Sequence, residues 1–333
     1  MYPNTKGADM IKIEHLVKHY GKVRAVNDIS FEIRDGEIVG FLGPNGAGKS
    51  TAMNILCGYL SCTSGRAEIN GTDILENPIE AKKQIGFLPE LPPLYQDMTV
   101  KEYLNFIYDL KGTNLPREAH LGEIMQVTAI ESEKNRLIRN LSKGYKQRVG
   151  IAQALVGDPP VLIFDEPTVG LDPRQIAEVR SLIRSLGGRH TVILSTHILS
   201  EVQAVCDRII IINKGRIVAD DKPGSIAGSV SGISNLTLKI CGPEKEIVSA
   251  LSQLDGVLSV AARGNFDADS VTYAVSCAAG VDMRKPIFRK MALLQYPIIG
   301  MEAQGLDLEN LFLSAVGEDG AERSKKTGKR GKR

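Results

Sequence analysis

The sequence predicts an α/β fold built on a parallel sheet, followed by a smaller α+β domain. Three observations predict it. Short apolar runs rich in β-branched residues, at 37–42, 161–164 and 191–194, are bounded by Gly, Pro or polar residues. Such runs read as strands buried on both faces, the pattern of a parallel sheet. Helical apolar spacing lies between them, over 49–60 and 175–186. Finally, the composition shifts at 223–234, where PGSIAGSVSGIS is rich in Gly and Ser and marks a linker.

Ahead of the first buried run, 11–16 and 23–33 read as antiparallel strands. Beyond the linker the rhythm is strand 235–240, helix 244–254, strands 257–262 and 271–276, helix 281–294, strand 298–303 and a last helix 308–316. The order β-α-β-β-α-β suits a split β-α-β, ferredoxin-like module with its helices on one sheet face. The expected domains are 10–228, an accessory, dimerisation or regulatory domain 229–316, and a disordered basic tail 317–333. No repeat at a period of 20–50 residues and no long heptad run is present.

Bulk composition narrows the class. The 333 residues are 43% hydrophobic and 24% charged, which excludes a disordered or collagen-like chain. A net charge of +2 gives no whole-protein field for nucleic acid. Residues 323–333 carry seven Lys or Arg and no acid, a run that reads as a solvated tail or as a contact for anionic lipid or nucleic acid. The five Cys are scattered without a CxxC pair and read as small core residues in a reducing compartment. The first nine residues are polar and no stretch approaches ~20 apolar residues. The expectation is a cytoplasmic chain whose membrane role needs a partner.

Three motifs carry chemistry. GPNGAGKST, comprising Gly43, Pro44, Asn45, Gly46, Ala47, Gly48, Lys49, Ser50 and Thr51, follows a strand and opens a helix. This is the context of a phosphate-binding loop, where backbone N–H groups and the helix N-terminus face the phosphates. Lys49 would reach the β- and γ-phosphates and Ser50 would ligate Mg²⁺. VLIFDEP ends a buried strand with Asp165 and Glu166, where active sites of open α/β sheets lie. Asp165 would hold Mg²⁺ and Glu166 would activate the attacking water, although two acids there also suit a helix N-terminus. LSKGYKQR places Ser142 as an N-cap with Gly144 behind it, which is either an anion site or a plain capped helix.

In this order the motifs resemble the ABC ATPase family over about residues 10–222. The resemblance implies a P-loop NTPase domain with an antiparallel β subdomain and a helical subdomain, binding ATP and Mg²⁺. It also implies a head-to-tail homodimer in which Ser142 and Gly144 of one copy meet the γ-phosphate held by the other. Tyr20 resembles the adenine-stacking aromatic, Asp172 in GLDP the loop linking the two sites, and His197 in STHIL the γ-phosphate histidine. Taken alone, Tyr20 reads as a surface aromatic and His197 as a core histidine.

Two positions depart from the family pattern. Glu90 stands where Gln is usual, and an anionic oxygen there can still hold Mg²⁺. Lys143 and Tyr145 replace the first Gly and the Gln of the LSGGQ signature. These variants, with DLENLFL at 307–313, are similar to ATPase subunits of ABC-2-type exporters, the gliding-motility type among them. The resemblance implies integral membrane permease subunits as partners and a peripheral place on the inner membrane face. A second reading is a soluble ABC ATPase acting on nucleic acid or ribosomes, and a third is a ligand-sensing regulator. The single cassette and the lack of a coiled-coil insertion between the phosphate loop and the signature weigh against the second.

Overall fold

The computed structural model describes residues 9–223, 233–265, 269–278 and 282–304. The chain divides into two compact units at Pro223 and Gly224.

In the first unit, β3 (Ile38–Leu42), β6 (Ile85–Leu88), β7 (Val161–Asp165), β8 (Thr191–Thr196) and β9 (Arg208–Asn213) run parallel. With β10 (Arg216–Asp221) paired antiparallel at the edge, they form a sheet of order β10-β9-β3-β8-β7-β6. Every residue of β3, β7 and β8 is buried, which is why these strands are unbroken apolar runs in the sequence. The register pairs Leu42 with Thr196 and Asp165 with Ser195, so the strand ends that carry the three loops lie level.

A second, antiparallel sheet has the order β2-β1-β4-β5, from β1 (Asp9–Tyr20), β2 (Val23–Arg34), β4 (Ser64–Ile69) and β5 (Thr72–Asp73). Its inner residues Ile11, Ile13, Phe31 and Ile33 share one core with Phe41 of β3 and with Met53 and Leu56 of α1 (Lys49–Leu56). The helix that carries the phosphate loop is thus wedged between the sheets.

Sequence periodicity carries α1 to residue 60, but the helix ends at Leu56. Gly58 adopts φ 67°, its N–H bonds to Ile55 O at 2.9 Å and the Tyr59 N–H to Asn54 O at 2.9 Å. That Schellman closure uses the last carbonyls and stops the helix.

Helix α2 (Pro78–Lys83) precedes β6, and a helical region follows it. In α3 (Val100–Lys111) a Thr99–Glu102 capping box starts the helix, and Val100, Tyr103, Leu104, Ile107 and Tyr108 form its buried face. Next come α4 (Arg117–Val127) and α5 (Lys143–Leu155), the latter N-capped by Ser142. Two further helices, α6 (Pro173–Leu186) and α7 (Leu199–Val205), follow β7 and β8.

The second unit contains β11 (Ile233–Cys241), α8 (Glu244–Ser252), β12 (Val257–Asn265), β13 (Ser270–Ala278), α9 (Arg284–Leu293) and β14 (Ile298–Gln304). Its sheet order is β12-β13-β11-β14, all antiparallel. Alternate residues Leu236, Leu238, Ile240, Tyr273, Val275 and Cys277 meet Ile247 and Leu251 of α8 and Ile287 and Met291 of α9. One face of a split β-α-β sheet is therefore covered by both helices.

The helix expected at 308–316 and the basic tail lie outside the described residues, as does most of the linker. Cys57, Cys206 and Cys277 are buried thiols, whereas Cys62 and Cys241 are only half-buried and correct the expectation of core cysteines. Among the described residues no helix is long and apolar enough to cross a membrane.

Candidate functional site

The phosphate loop leaves β3 and closes onto the N-terminus of α1. Gly46 and Gly48 hold φ 80° and 107°, the left-handed region that a side chain resists. A Cβ at Gly48 would also collide with the Ala25 carbonyl, so the loop follows this path only with glycine there. Gly48 is the N-cap of α1 and offers no side-chain acceptor, which leaves the first-turn N–H groups to an outside anion.

Lys49 is 5% exposed, and its ammonium donates to Gly43 O at 2.8 Å and Pro44 O at 3.3 Å. The same Nζ stands 3.5 Å from Glu166 Oε1. Glu166, just past the end of β7, is buried and holds φ 51°. Its N–H bonds to Ser195 O at 2.8 Å, tying the β7 end to β8. His197 Nδ1 lies 3.0 Å from each Glu166 carboxylate oxygen. An ionised carboxylate only accepts, so this contact assigns the ring proton to Nδ1. A cation, a carboxylate and an imidazole from three separate loops thereby meet at one point.

They line a cavity of about 460 Å³ together with Ala25, Asn45, Gly46, Gly48, Ser50, Thr51, Glu90 and Val169. Asp165 is buried beside it, and its Oδ1 has no hydrogen-bond partner. A buried orphan carboxylate oxygen calls for a cation or an ordered water. Mg²⁺ takes one or two protein oxygens and fills its shell with phosphate and water, so Ser50, Asp165 and Glu90 fit it. Among the described residues no group of three His, Cys, Asp or Glu could hold a metal unaided. Burial, and then the Asp165 charge, push the Cys57 thiol well above its ordinary range, so it is no nucleophile here.

Tyr20, Ser142, Gly144 and Asp172 are not among the residues that line this cavity. Tyr20 ends β1, is 48% exposed and has the Lys18 ammonium 5.4 Å from its ring centre. Ser142 Oγ accepts from the Tyr145 N–H at 3.4 Å as the N-cap of α5. Gly144 is buried under the Gln175 carboxamide, and Lys143 lies on Gly170. Asp172 Oδ1 accepts from the Gln175 N–H at 2.9 Å and caps α6. Signature and GLDP loop are therefore packed against each other, but neither lines the Lys49 cavity.

Sequence reasoning misses Ala25 and Val169 in the wall, and Thr168, Thr196 and Glu201 behind it. Ala25 and Val169 carry no chemistry of their own. Glu201 is an ordinary-looking acid four residues beyond His197, and only the tertiary fold buries it.

A phosphate loop on the central parallel strand, with an acid pair on the next strand but one, defines a P-loop nucleoside-triphosphatase. The ABC transporter family model matches residues 26–169. The bacitracin transport ATP-binding protein of Bacillus licheniformis is 38% identical over 213 residues, 63% of this chain and 69% of that one. The linearmycin resistance ATP-binding protein of Bacillus subtilis is 30% identical over 310 residues, 92% of this chain and 98% of the relative. Among solved structures, an ATP-binding subunit of an ABC transporter superposes with TM-score 0.59 at 30% identity, over 64% of this chain and 90% of that one. A dimeric cassette in a post-hydrolysis state with ADP and Pi gives TM-score 0.58 at 27% identity, over 64% and 99%. The chain belongs to the ABC transporter family as an ATP-binding, ATP-hydrolysing subunit.

Proposed function

We propose that this subunit is the motor of an ABC exporter, in which two copies close head to tail over two ATP molecules and drive separate integral membrane subunits. The observation that carries the hydrolytic part is the meeting of Lys49, Glu166 and His197 in one cavity. In this reading Glu166 takes a proton from the attacking water. His197, held by the Glu166 carboxylate, contacts the γ-phosphate, and Lys49 balances charge on the transferred group. Ser50, Asp165 and Glu90 would hold Mg²⁺, which supplies charge neutralisation at the phosphate oxygens. Gly43, Pro44, Asn45, Gly46, Ala47, Gly48 and Thr51 cradle the phosphates, and Tyr20 stacks on adenine.

Ser142 and Gly144 of the second copy complete each site, and Asp172 links the two. Transport is supported by the name of the bacitracin transport protein, and export by the Nod factor export ATP-binding protein of Paraburkholderia xenovorans, 34% identical over 236 residues. The domain reading that goes with it is a cassette over 10–228, an accessory or dimerisation domain over 229–316, and a basic tail that touches anionic lipid.

The test is ATP hydrolysis by the purified chain and by Glu166→Gln, with size-exclusion chromatography in Mg-ATP. The expected result is hydrolysis lost by ~10²–10⁴-fold in the variant and a stable dimer of that variant with ATP. A variant that hydrolyses like the native chain overturns the role given to Glu166.

A further inference from the structure

Behind the cavity lies a buried polar cluster that the hydrolytic scheme does not use. Glu201 of α7 is 1% exposed. Its Oε1 accepts from Thr168 Oγ1 at 2.6 Å and its Oε2 from Thr196 Oγ1 at 3.0 Å. Thr168 lies two residues after Glu166 in the loop leaving β7, and Thr196 is the last residue of β8, directly before His197. Thr196 Oγ1 also accepts from the Ile198 N–H at 3.1 Å, which pins the turn that carries His197. On the far side, the Arg180 guanidinium of α6 stands 3.9 Å from Glu201 Oε1, and its Nε is buried without a partner. Each carboxylate oxygen thus meets a hydroxyl from a different catalytic loop.

Placing a carboxylate here is costly. A buried charge with one distant cation is a poor stabiliser compared with apolar packing. What the arrangement supplies is geometry, because two charge-assisted bonds from one rigid group fix the spacing of the two loops. We infer that Glu201 is a positioning residue for hydrolysis, clamping the Glu166 loop to the His197 turn so that carboxylate and imidazole meet in register. The inference rests on the roles proposed above for Glu166 and His197. A displacement of about 1 Å at such a site is enough to cost roughly 10²-fold in rate. ATP binding rests on the phosphate loop and α1, which make no hydrogen bond to Glu201 among the described residues.

The experiment compares Glu201→Gln, Thr168→Val, Thr196→Val, Thr168→Ser and Thr196→Ser in the full chain, reading kcat, KM for ATP and thermal midpoint. Expected are a fall in kcat of about tenfold or more in Glu201→Gln and in both Val variants, with KM unchanged. The Ser variants restore kcat, because they keep the hydroxyl. Glu201→Gln combined with Thr196→Val loses less than the product of the two single effects. Native kcat in Glu201→Gln and both Val variants overturns the inference, and so does a loss that Ser fails to restore. A kcat loss that appears only together with a raised KM and a lowered thermal midpoint reports general structural damage and overturns it too. Glu166→Gln is the control: if it hydrolyses normally the underlying reading fails. If it is inactive while the Glu201 and Val variants are active, the clamp alone fails.

Discussion

Glu166 holds a left-handed backbone that L-residues other than Asn and Asp rarely adopt. Such a conformation costs about 1–3 kcal/mol and persists where its surroundings over-determine it. Here the Ser195 carbonyl fixes its N–H, while His197 and Lys49 fix its carboxylate. The amide in Glu166→Gln fills the same volume, so that variant is expected to keep its thermal midpoint while losing hydrolysis. Gly48 meets the opposite constraint, since its φ of 107° and the Ala25 carbonyl leave no room for a methyl group. Gly48→Ala is expected to destabilise the chain by more than ~1 kcal/mol and to abolish ATP binding, read by thermal shift without and with nucleotide. A Gly48→Ala protein that binds ATP normally would show that the loop has another path.

At the scale of elements, two histidines brace the 157–159 turn between α5 and β7. His120 of α4 accepts from the Gly157 N–H through Nε2 at 2.9 Å. His190, before β8, is bonded through Nδ1 to Pro159 O at 2.8 Å. Around them are Arg189 and Lys111, which oppose a further positive charge, and Glu123 and Asp158, which favour it. Burial dominates and lowers both histidines below their ordinary value. The unfolded chain therefore binds more protons once pH falls below about 6.5, and the stability present at neutral pH is lost on acidification. Thermal midpoints from about pH 7.5 to about pH 5.5 should fall, with a shallower slope in His120→Gln, whose carbonyl can accept from Gly157 at any pH. An equal slope in the variant would remove His120 from the account.

The sequence announces elements where burial is uniform or a local bond defines them. β3, β7 and β8 are legible because every side chain is buried. The start of α5 is legible because Ser142 bonds within three residues of itself, whereas the helix read from 175 begins at Pro173, where Asp172 caps it. The end of α1 is not legible because apolar spacing runs on through Leu60, while the stop is a backbone event at Gly58. Lys49, Ser50, Asp165 and Glu166 stand out through motif and strand context, and His197 only through the family resemblance. Glu201 and its two threonines do not, because their partners lie 33 and 5 residues away and only the packing of α7 brings them together.

At the scale of the whole molecule, Ser142 and Gly144 lie outside the Lys49 cavity, so the role proposed for them requires a second chain. Hydrolysis by the isolated chain is then expected to depend on its concentration, and a dilution series of initial rates checks this. A rate per chain that stays constant on dilution would mean that one copy suffices.

If two copies share each site as proposed, the placement of the signature outside the Lys49 cavity has a kinetic meaning. Where dimers are scarce, the velocity scales with the square of the chain concentration, so dilution throttles turnover far more than it depletes protein. A scaffold that tethers two copies replaces that encounter by an intramolecular one, at effective concentrations in the ~mM range. On the proposed dimer, fuel consumption is low for unassembled copies and is released where two are held side by side.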